Sequence, residues 1–489
     1  MENISRPLNI KKVAISLLAF LILFTFNSCK DELVEMPRQV VEENFYKNAG
    51  DVESAVNATY LPFRSAGFTA SYTAIVDTEN DWGYGRGSRS QYNSWTAFNS
   101  TNRNRAQGIW NSFYQAIRNA NLVIRNAPTG LPTGQTEINQ FVDEAKFMRA
   151  YFYFQLVRCW GGVPIRTVDN MEEKDLGRNS ADEVYNLIVT DLLEAEAGLP
   201  TEQSQLGRPT KYAAKTMLAD VYMDMGNYSQ ARDLAQQVIN SGVYSLVPVQ
   251  TRDDFWNIFG PEILTSSEEI WYIKYSRQQG QGNFMGWIVN HASTELYNFG
   301  GAFAHFANAR DAFYQNWPDN DLRKALWDFA DFGFADSTIV TRKFPDPNAV
   351  TRNDIATDFP LYRYAEVLYI FAEADARVAG GPTVEAMELV NQVRRRGYGE
   401  DINMPSSLDF DIANYNLDSF IDLVIQERGY EFTFEAKRWF TLKRTGKLAE
   451  ILLQNRGVTV PEARYLWPIP NSEMNFNDLV NDADQNPGY

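Results

Sequence analysis

Two alanine-lined helices joined by a glycine corner, within residues 211–244, constrain this chain more than any other stretch. Ala214, Leu218, Ala219 and Tyr222 recur at helical spacing, Gly226-Asn227-Tyr228 supplies a turn, and Ala231, Leu234, Ala235 and Val238 line a second helix. Small side chains on facing stripes let antiparallel helices approach closely, and glycine accepts the backbone of a tight corner. The unit resembles a tetratricopeptide hairpin. Two looser pairs are visible: 364–393, broken at Gly380-Gly381-Pro382, and 144–160 with 180–197 across a long insertion. One good repeat and two loose ones imply a mainly α fold in which tetratricopeptide-like hairpins form a scaffold, without requiring a regular solenoid.

Local signals elsewhere agree with a helical scaffold. In 144–160, Ala145, Met148, Phe152, Leu156 and Cys159 fall on one stripe, and Phe147, Tyr151 and Phe154 on a second, so burial is expected on two sides. Gly161-Gly162-Val163-Pro164 ends that helix, and Ser180 with Glu183 reads as a capping box for the next. Helical spacing also covers 38–60, interrupted at Asn48-Ala49-Gly50, and 110–127 up to Pro128. It fades in 63–100 and in 245–359, where one strand is expected at 269–273 and a loop at 346–358. Aperiodic segments of that length are seldom idle in a folded domain. They are expected to form an irregular, loop-rich binding face with a few short strands.

The 489 residues carry a formal net charge of −17, which argues against a general binder of nucleic acid or anionic membranes. With 44% hydrophobic and 14% aromatic residues the chain has the material for a large core. Its two cysteines are Cys29 and Cys159, and its two histidines are His291 and His305. HExxH, CxxC, GxSxG and GxxxxGK[ST] patterns are missing, so a metalloenzyme, a serine hydrolase or a nucleotide-driven machine has little basis. No cofactor and no metal are expected.

The N-terminus reads as an export leader. Arg6, Lys11 and Lys12 precede an apolar run over 13–26 that is short for a bilayer span, and Asn27-Ser28-Cys29 closes it. Cys29 is placed to become the first mature residue, where its thiolate would take up a lipid. The site resembles a bacterial lipobox, although Phe26 stands where leucine is usual and Asn27 is bulky. Lys30-Asp31-Glu32 resembles a signal that sends lipoproteins to the outer face of an outer membrane. The expected organisation is a signal peptide at 1–28, a lipidated tether at 29–41 and a domain at 42–489, with an N-terminal part to about 245 and a C-terminal part from about 246. If Cys29 is lipidated, Cys159 has no disulfide partner; its place on the apolar stripe marks it as core.

Several motifs in the C-terminal half bear a specific resemblance. Leu361-Tyr362-Arg363-Tyr364-Ala365-Glu366-Val367-Leu368, Leu389-Val390-Asn391-Gln392-Val393-Arg394 and Gln426-Glu427-Arg428-Gly429-Tyr430-Glu431-Phe432-Thr433-Phe434-Glu435-Ala436-Lys437-Arg438-Trp439-Phe440 are similar, in this order, to motifs of the SusD/RagB family. So are Leu466-Trp467-Pro468-Ile469-Pro470, Gln485-Asn486-Pro487-Gly488-Tyr489 and, earlier, Glu144-Ala145-Lys146-Phe147-Met148-Arg149-Ala150. Gly429 departs from the pattern, where a longer side chain is common, and so does Ala436, where glycine is usual. The resemblance implies an outward-facing outer-membrane lipoprotein that pairs with a SusC-like TonB-dependent transporter, acts as its lid, and binds a glycan, or a peptide in some members, without cleaving it. It assigns no ligand residue, because those vary with substrate.

Glycan capture requires flat aromatic faces beside amide, carboxylate or guanidinium groups. Two stretches offer them: Trp82, Tyr84, Arg86, Tyr92, Asn93 and Trp95 in a glycine-rich loop, and Trp287, Asn290, His291, Tyr297 and Asn298 with Trp317 nearby. Such aromatics are more often core than ligand-facing. Trp82 and Tyr84, set among glycines and charges, are expected to face the ligand. Asp77, Glu79 and Asp81 alternate in the same loop and read as solvated charge rather than a cation site. Glu427, Glu431 and Glu435 are spaced to share a helix face, and paired carboxylates are what a glycosidase needs, but neighbouring arginines and lysines favour ion pairing.

Overall fold

The computed structural model describes residues 45–297, 299, 301–302, 304–331 and 336–489. The leader, Cys29, Lys30-Asp31-Glu32, the expected tether at 29–41 and Asn298 lie outside the described residues. The fold is mainly helical. The helical spacing is interrupted at 46–48, close to the expected break, and Asn48 starts the next helix: its side-chain oxygen accepts from the Asp51 N–H and caps α1 (Ala49–Asn57). Helix α2 (Ser100–Asn126) begins well before the expected position because Asn99 caps it, and α3 (Gln135–Trp160) likewise starts a turn or more early. Ser180 and Glu183 form the expected capping box at the head of α4 (Ala181–Gly198).

The alanine-lined hairpin is α5 (Lys211–Asp224) and α6 (Tyr228–Asn240). Ala214, Leu218, Ala219, Ala231, Ala235 and Val238 are all buried. Gly226 takes the left-handed backbone at the corner (φ 74°), which an L side chain would strain. The second hairpin is α7 (Tyr364–Ala379) and α8 (Val384–Gly397), turned at Gly380, also left-handed. From α2 to α8 each helix packs on the next, and α6 packs directly on α7 although the whole 241–363 segment lies between them in sequence. That insertion carries most of the strands. One sheet has the antiparallel order β1 (Gly83–Gly85), β3 (His305–Asn308), β5 (Thr338–Thr341), β4 (Trp327–Phe329). A second pairs β2 (Glu269–Ile273), as expected, with β6 (Phe359–Arg363).

Residues 48–489 form one compact unit, and buried ion pairs tie its distant parts together. Helix α9 (Leu417–Glu431) ends at Glu431, so Glu435 is not on a helix face with Glu427 and Glu431; it sits in the turn that follows, where Phe434 and Ala436 both have positive φ. Arg363, at the junction of β6 and α7, donates to Glu431 at 2.5 Å, Glu435 at 3.0 Å and Glu268 at 3.2 Å. Arg396 of α8 reaches Glu268 at 2.6 Å and also pairs with Glu431, while Lys343 pairs with Glu435. Arg323 and Arg394 hold Glu427 at 2.9 Å each. Burial pushes the Glu431 carboxyl up, but the surrounding Arg396, Arg363 and Arg323 outweigh it and hold the group well below the usual carboxylate range. These three glutamates are the charged joint between the helical array and the inserted segment. Helix α10 (Arg438–Arg444) and α11 (Leu448–Arg456) complete the C-terminal side.

Candidate functional site

The glycine-rich loop is shaped by backbone contacts that exclude side chains. Asn80 Oδ1 accepts from the Trp82 N–H at 3.0 Å and the Gly83 N–H at 2.7 Å. A Cβ on Gly83 would lie 1.6 Å from the Asp77 carbonyl oxygen, and one on Gly85 would lie 2.4 Å from that of Arg89. Glycine on both sides therefore lets the loop fold back on itself and makes Tyr84 the only side chain of β1. Tyr84 faces Phe306 of β3 across the strand pair, and the two rings stack at 5.5 Å with an interplanar angle of 18°. The Arg456 guanidinium lies 3.9 Å from the Tyr84 ring centroid and is fixed there by donating to the carbonyls of Asn80 and Gly83. Both rings are half-buried, so the pair retains an accessible surface.

The second stretch comes to the same region. The Arg86 N–H donates to Ala304 O at 2.9 Å and its guanidinium reaches Ala302 O at 3.4 Å. The Ala302 N–H in turn donates to Trp287 O at 2.9 Å. Trp287 is half-buried and lies under the Arg352 guanidinium at 4.6 Å. His291, also half-buried, pairs through Nδ1 with Ser293 Oγ at 2.8 Å, and that hydroxyl accepts from the Asp331 N–H, beyond β4. The Tyr84–Arg86 segment and Trp287 are thus linked through Ala302, while His291 is tied through Ser293 to Asp331. Phe306, Arg352 and Arg456 belong with them and were not singled out from sequence. No local signal marks Phe306, since His305-Phe306-Ala307-Asn308 lacks polar–apolar alternation, although in β3 His305 and Ala307 are buried and Phe306 and Asn308 partly exposed.

The structure corrects several expectations. Trp82 is 2% exposed and packs edge-on to Phe434 at 4.8 Å and to Trp327 at 5.7 Å, so its ring offers no face to a ligand. Trp95 and Tyr92 are buried in the same core. Trp317 is buried and stacks on Tyr430 at 4.3 Å. Tyr297 is 9% exposed, with its hydroxyl donating to Phe344 O. The Asn93 amide is consumed internally: Oδ1 accepts from the Gly85 N–H at 2.6 Å, and Nδ2 donates to Gly83 O and Thr78 O. Asp77, Glu79 and Asp81 are not solvated; each is at most 3% exposed. Asp77 accepts from the Ala436 N–H, Glu79 from Trp467 Nε1 at 2.7 Å, and Asp81 from Arg438. Burial pushes the Glu79 carboxyl up to about 8 despite the Trp467 hydrogen bond. These acids pull the loop onto the C-terminal motifs. Polar and acidic letters near glycines read as surface because the arginine and indole partners lie hundreds of residues away.

Cys159 is buried on α3, as its stripe suggested, and burial pushes its thiol up to about 12. Burial and the neighbouring Arg89 guanidinium hold the His305 imidazole well below its usual range, hence neutral. Among the described residues no group of His, Cys, Asp and Glu is arranged to hold a metal ion, and no helix is long and apolar enough to cross a membrane. The half-buried Tyr84–Phe306 pair beneath Arg456 and the half-buried Trp287 beneath Arg352 each set an aromatic ring against a guanidinium, an arrangement suited to recognition by stacking and hydrogen bonding.

Comparison with known proteins identifies two family models along the chain. Residues 328–489 match the SusD family, and residues 45–223 match a family described as starch-binding and associating with the outer membrane. SusD-like protein P2 of Formosa agariphila is 26% identical, with 96% of this chain and 98% of that protein covered. SusD-like protein P38 of the same organism is 29% identical, with 94% and 96% covered. Among solved structures, a SusD homolog from Bacteroides thetaiotaomicron superposes with a TM-score of 0.77 at 21% identity, covering 92% of this chain and 98% of that one. A surface glycan-binding protein A from Bacteroides fluxus gives 0.73 at 22% identity, covering 90% and 99%. A laminarin-binding SusD-like protein gives 0.71 at 24% identity, covering 91% and 100%.

Proposed function

This chain belongs to the SusD/RagB family, and on that premise we propose that it captures a glycan at the cell surface, without cleaving it, and delivers it to a SusC-like TonB-dependent outer-membrane transporter over which it acts as a lid. The observation that supports the reading is a pair of half-buried aromatic patches, Tyr84 stacked on Phe306 and Trp287 beneath Arg352, whose segments are linked through the Arg86 guanidinium and Ala302. Sugar rings present flat C–H surfaces edged with hydroxyls. Half-buried aromatic rings flanked by guanidinium groups complement both. The glycan-binding protein of Bacteroides fluxus and the laminarin-binding protein that share this fold support the same class of ligand.

Attachment through a lipid on Cys29, with Lys30-Asp31-Glu32 as the address to the outer surface, is part of the proposal. The three glutamates most easily taken for a hydrolytic pair are buried and neutralised by arginine and lysine, which supports binding rather than catalysis. A glycan array probed with the purified mature protein tests the reading. Binding of at least one glycan, unaltered after incubation and weakened about tenfold or more in Tyr84→Ala/Trp287→Ala, is the expected result. Binding of peptides with no glycan bound would replace the ligand class, and release of shortened glycan would make the protein a hydrolase.

A further inference from the structure

A cleft of about 420 Å³, distinct from the loop face, lies between α2 and the segment that follows α3. Trp110, Asn111, Tyr114, Gln115 and Arg118 form its α2 wall, and Pro164, Arg166, Met171 and Glu473 complete it. Trp110 and Tyr114 are one helical turn apart, with ring centroids 5.0 Å apart and tilted by 44°. Its floor is fixed. Tyr114 Oη donates to Pro164 O at 2.7 Å, and Asn121 Nδ2 donates to Arg166 O at 2.9 Å. Asn121 Oδ1 accepts from Arg149, while the Arg166 guanidinium donates to the carbonyls of Glu173 and Lys174. The rim is different. Asn111, Gln115 and Arg118 follow one another at helical spacing along the same side of α2 and are exposed. Among the described residues none of the three makes a hydrogen bond or ion pair through its side chain.

Trp110 is itself buried, 2% exposed, beneath the half-buried Tyr114, so the aromatic surface of the cleft is the Tyr114 ring; beside two unengaged amides and one guanidinium it suits a polar, largely neutral ligand with an apolar face. A strongly anionic ligand would meet Glu473 and only two arginines, one of them already committed to backbone carbonyls. A purely apolar ligand would strand the amides against it. The volume lies within the range of small-molecule sites. We propose that this cleft is a second saccharide-binding site, taking the end or a short stretch of a neutral oligosaccharide. The class of ligand rests on the glycan reading above; the site does not. The start of α2 is tied to the glycine-rich loop by Asn102 Nδ2 donating to Ser88 O, and Gln115 lies about 20 Å further along the helix. Two sites on one chain raise the grip on a polymer through effective concentration without strengthening either alone.

The test uses the full mature chain labelled with 5-fluorotryptophan, with the Trp110 and Trp287 resonances assigned from Trp110→Phe and Trp287→Phe. Maltotriose and laminaritriose are titrated separately. The expected result is a saturable shift of the Trp110 signal with at least one of them. Asn111→Ala/Arg118→Ala, two exposed changes, should weaken that response about tenfold or more and leave the Trp287 response in place. A stationary Trp110 signal under both sugars, or a shift indifferent to the double variant, overturns the second site. Movement of Trp287 alone leaves the loop face standing and the cleft refuted. Movement of Trp110 alone does the reverse, and movement of neither removes both.

Discussion

Arg438 grips Asp81 with two parallel hydrogen bonds, Nε to Oδ1 at 2.8 Å and Nη2 to Oδ2 at 2.9 Å, across 357 positions of sequence. Both side chains are buried, and Asn455 Nδ2 donates to the same carboxylate at 2.8 Å. The pair pins the loop that presents Tyr84 to the start of α10. A Cβ on Gly429 would come within 2.9 Å of Arg438 Nη1, so the α9 backbone lies directly against the guanidinium.

Removing one partner leaves the other charge buried and uncompensated, which typically costs about 3–5 kcal/mol. Asp81→Ala is expected to lower the unfolding free energy by that order, read from urea titration. A loss below about 1 kcal/mol would mean that Arg438 finds water or another acceptor.

Trp82→Ala separates core from site. Its indole fills the space among Phe313, Trp327 and Phe434, so truncation should cost roughly 3–5 kcal/mol. The fraction that remains folded should still respond to glycan through Trp287. An unchanged thermal midpoint with abolished glycan binding would return Trp82 to the ligand face.

The helical scaffold was legible because its signals are local. Ala214, Leu218, Ala231 and Ala235 declare a close helix pair within one short window, Gly380 marks the second corner, and Ser180 with Glu183 announces a helix start. The candidate site was half legible. Tyr84 and Trp287 stood out by composition, but Trp82 and Tyr84 are only two residues apart and face opposite environments. Strand alternation would put both on one face, but Trp82 precedes β1 in the turn held by Asn80 and packs on Phe434, while Tyr84 lies within the strand opposite Phe306. The acids of the loop misled for the same reason: burial of Asp77, Glu79 and Asp81 depends on Ala436, Trp467 and Arg438, which no local pattern connects to them.

Ala436 invites a stabilising change. Its φ of 56° is left-handed, and its N–H must point at the Asp77 carboxylate, 3.2 Å away. That conformation costs an L residue about 1–2 kcal/mol, a gain partly offset when glycine loosens the unfolded chain. Ala436→Gly should therefore raise stability by roughly 0.5–1 kcal/mol, measured by denaturant midpoint at unchanged slope. A decrease would show that the Ala436 methyl packs favourably enough to outweigh its backbone strain.

Glu79 should make stability fall with rising pH. Its carboxyl is pushed by burial to about 8 in the folded chain, against 4.5 for the free side chain. Between those values the unfolded state releases the proton and the folded state keeps it, so each pH unit removes up to about 1.4 kcal/mol; above the folded value both states are ionised and the loss stops. The substitution Glu79→Gln keeps an oxygen for Trp467 Nε1 but removes the titration. The difference in unfolding free energy between Glu79→Gln and the parent should accordingly widen in favour of the variant from about pH 5 to about pH 8. Parallel curves across that window would mean that Glu79 is already ionised in the folded protein, with its charge balanced by Lys443 and Arg464, the two cations that oppose its burial.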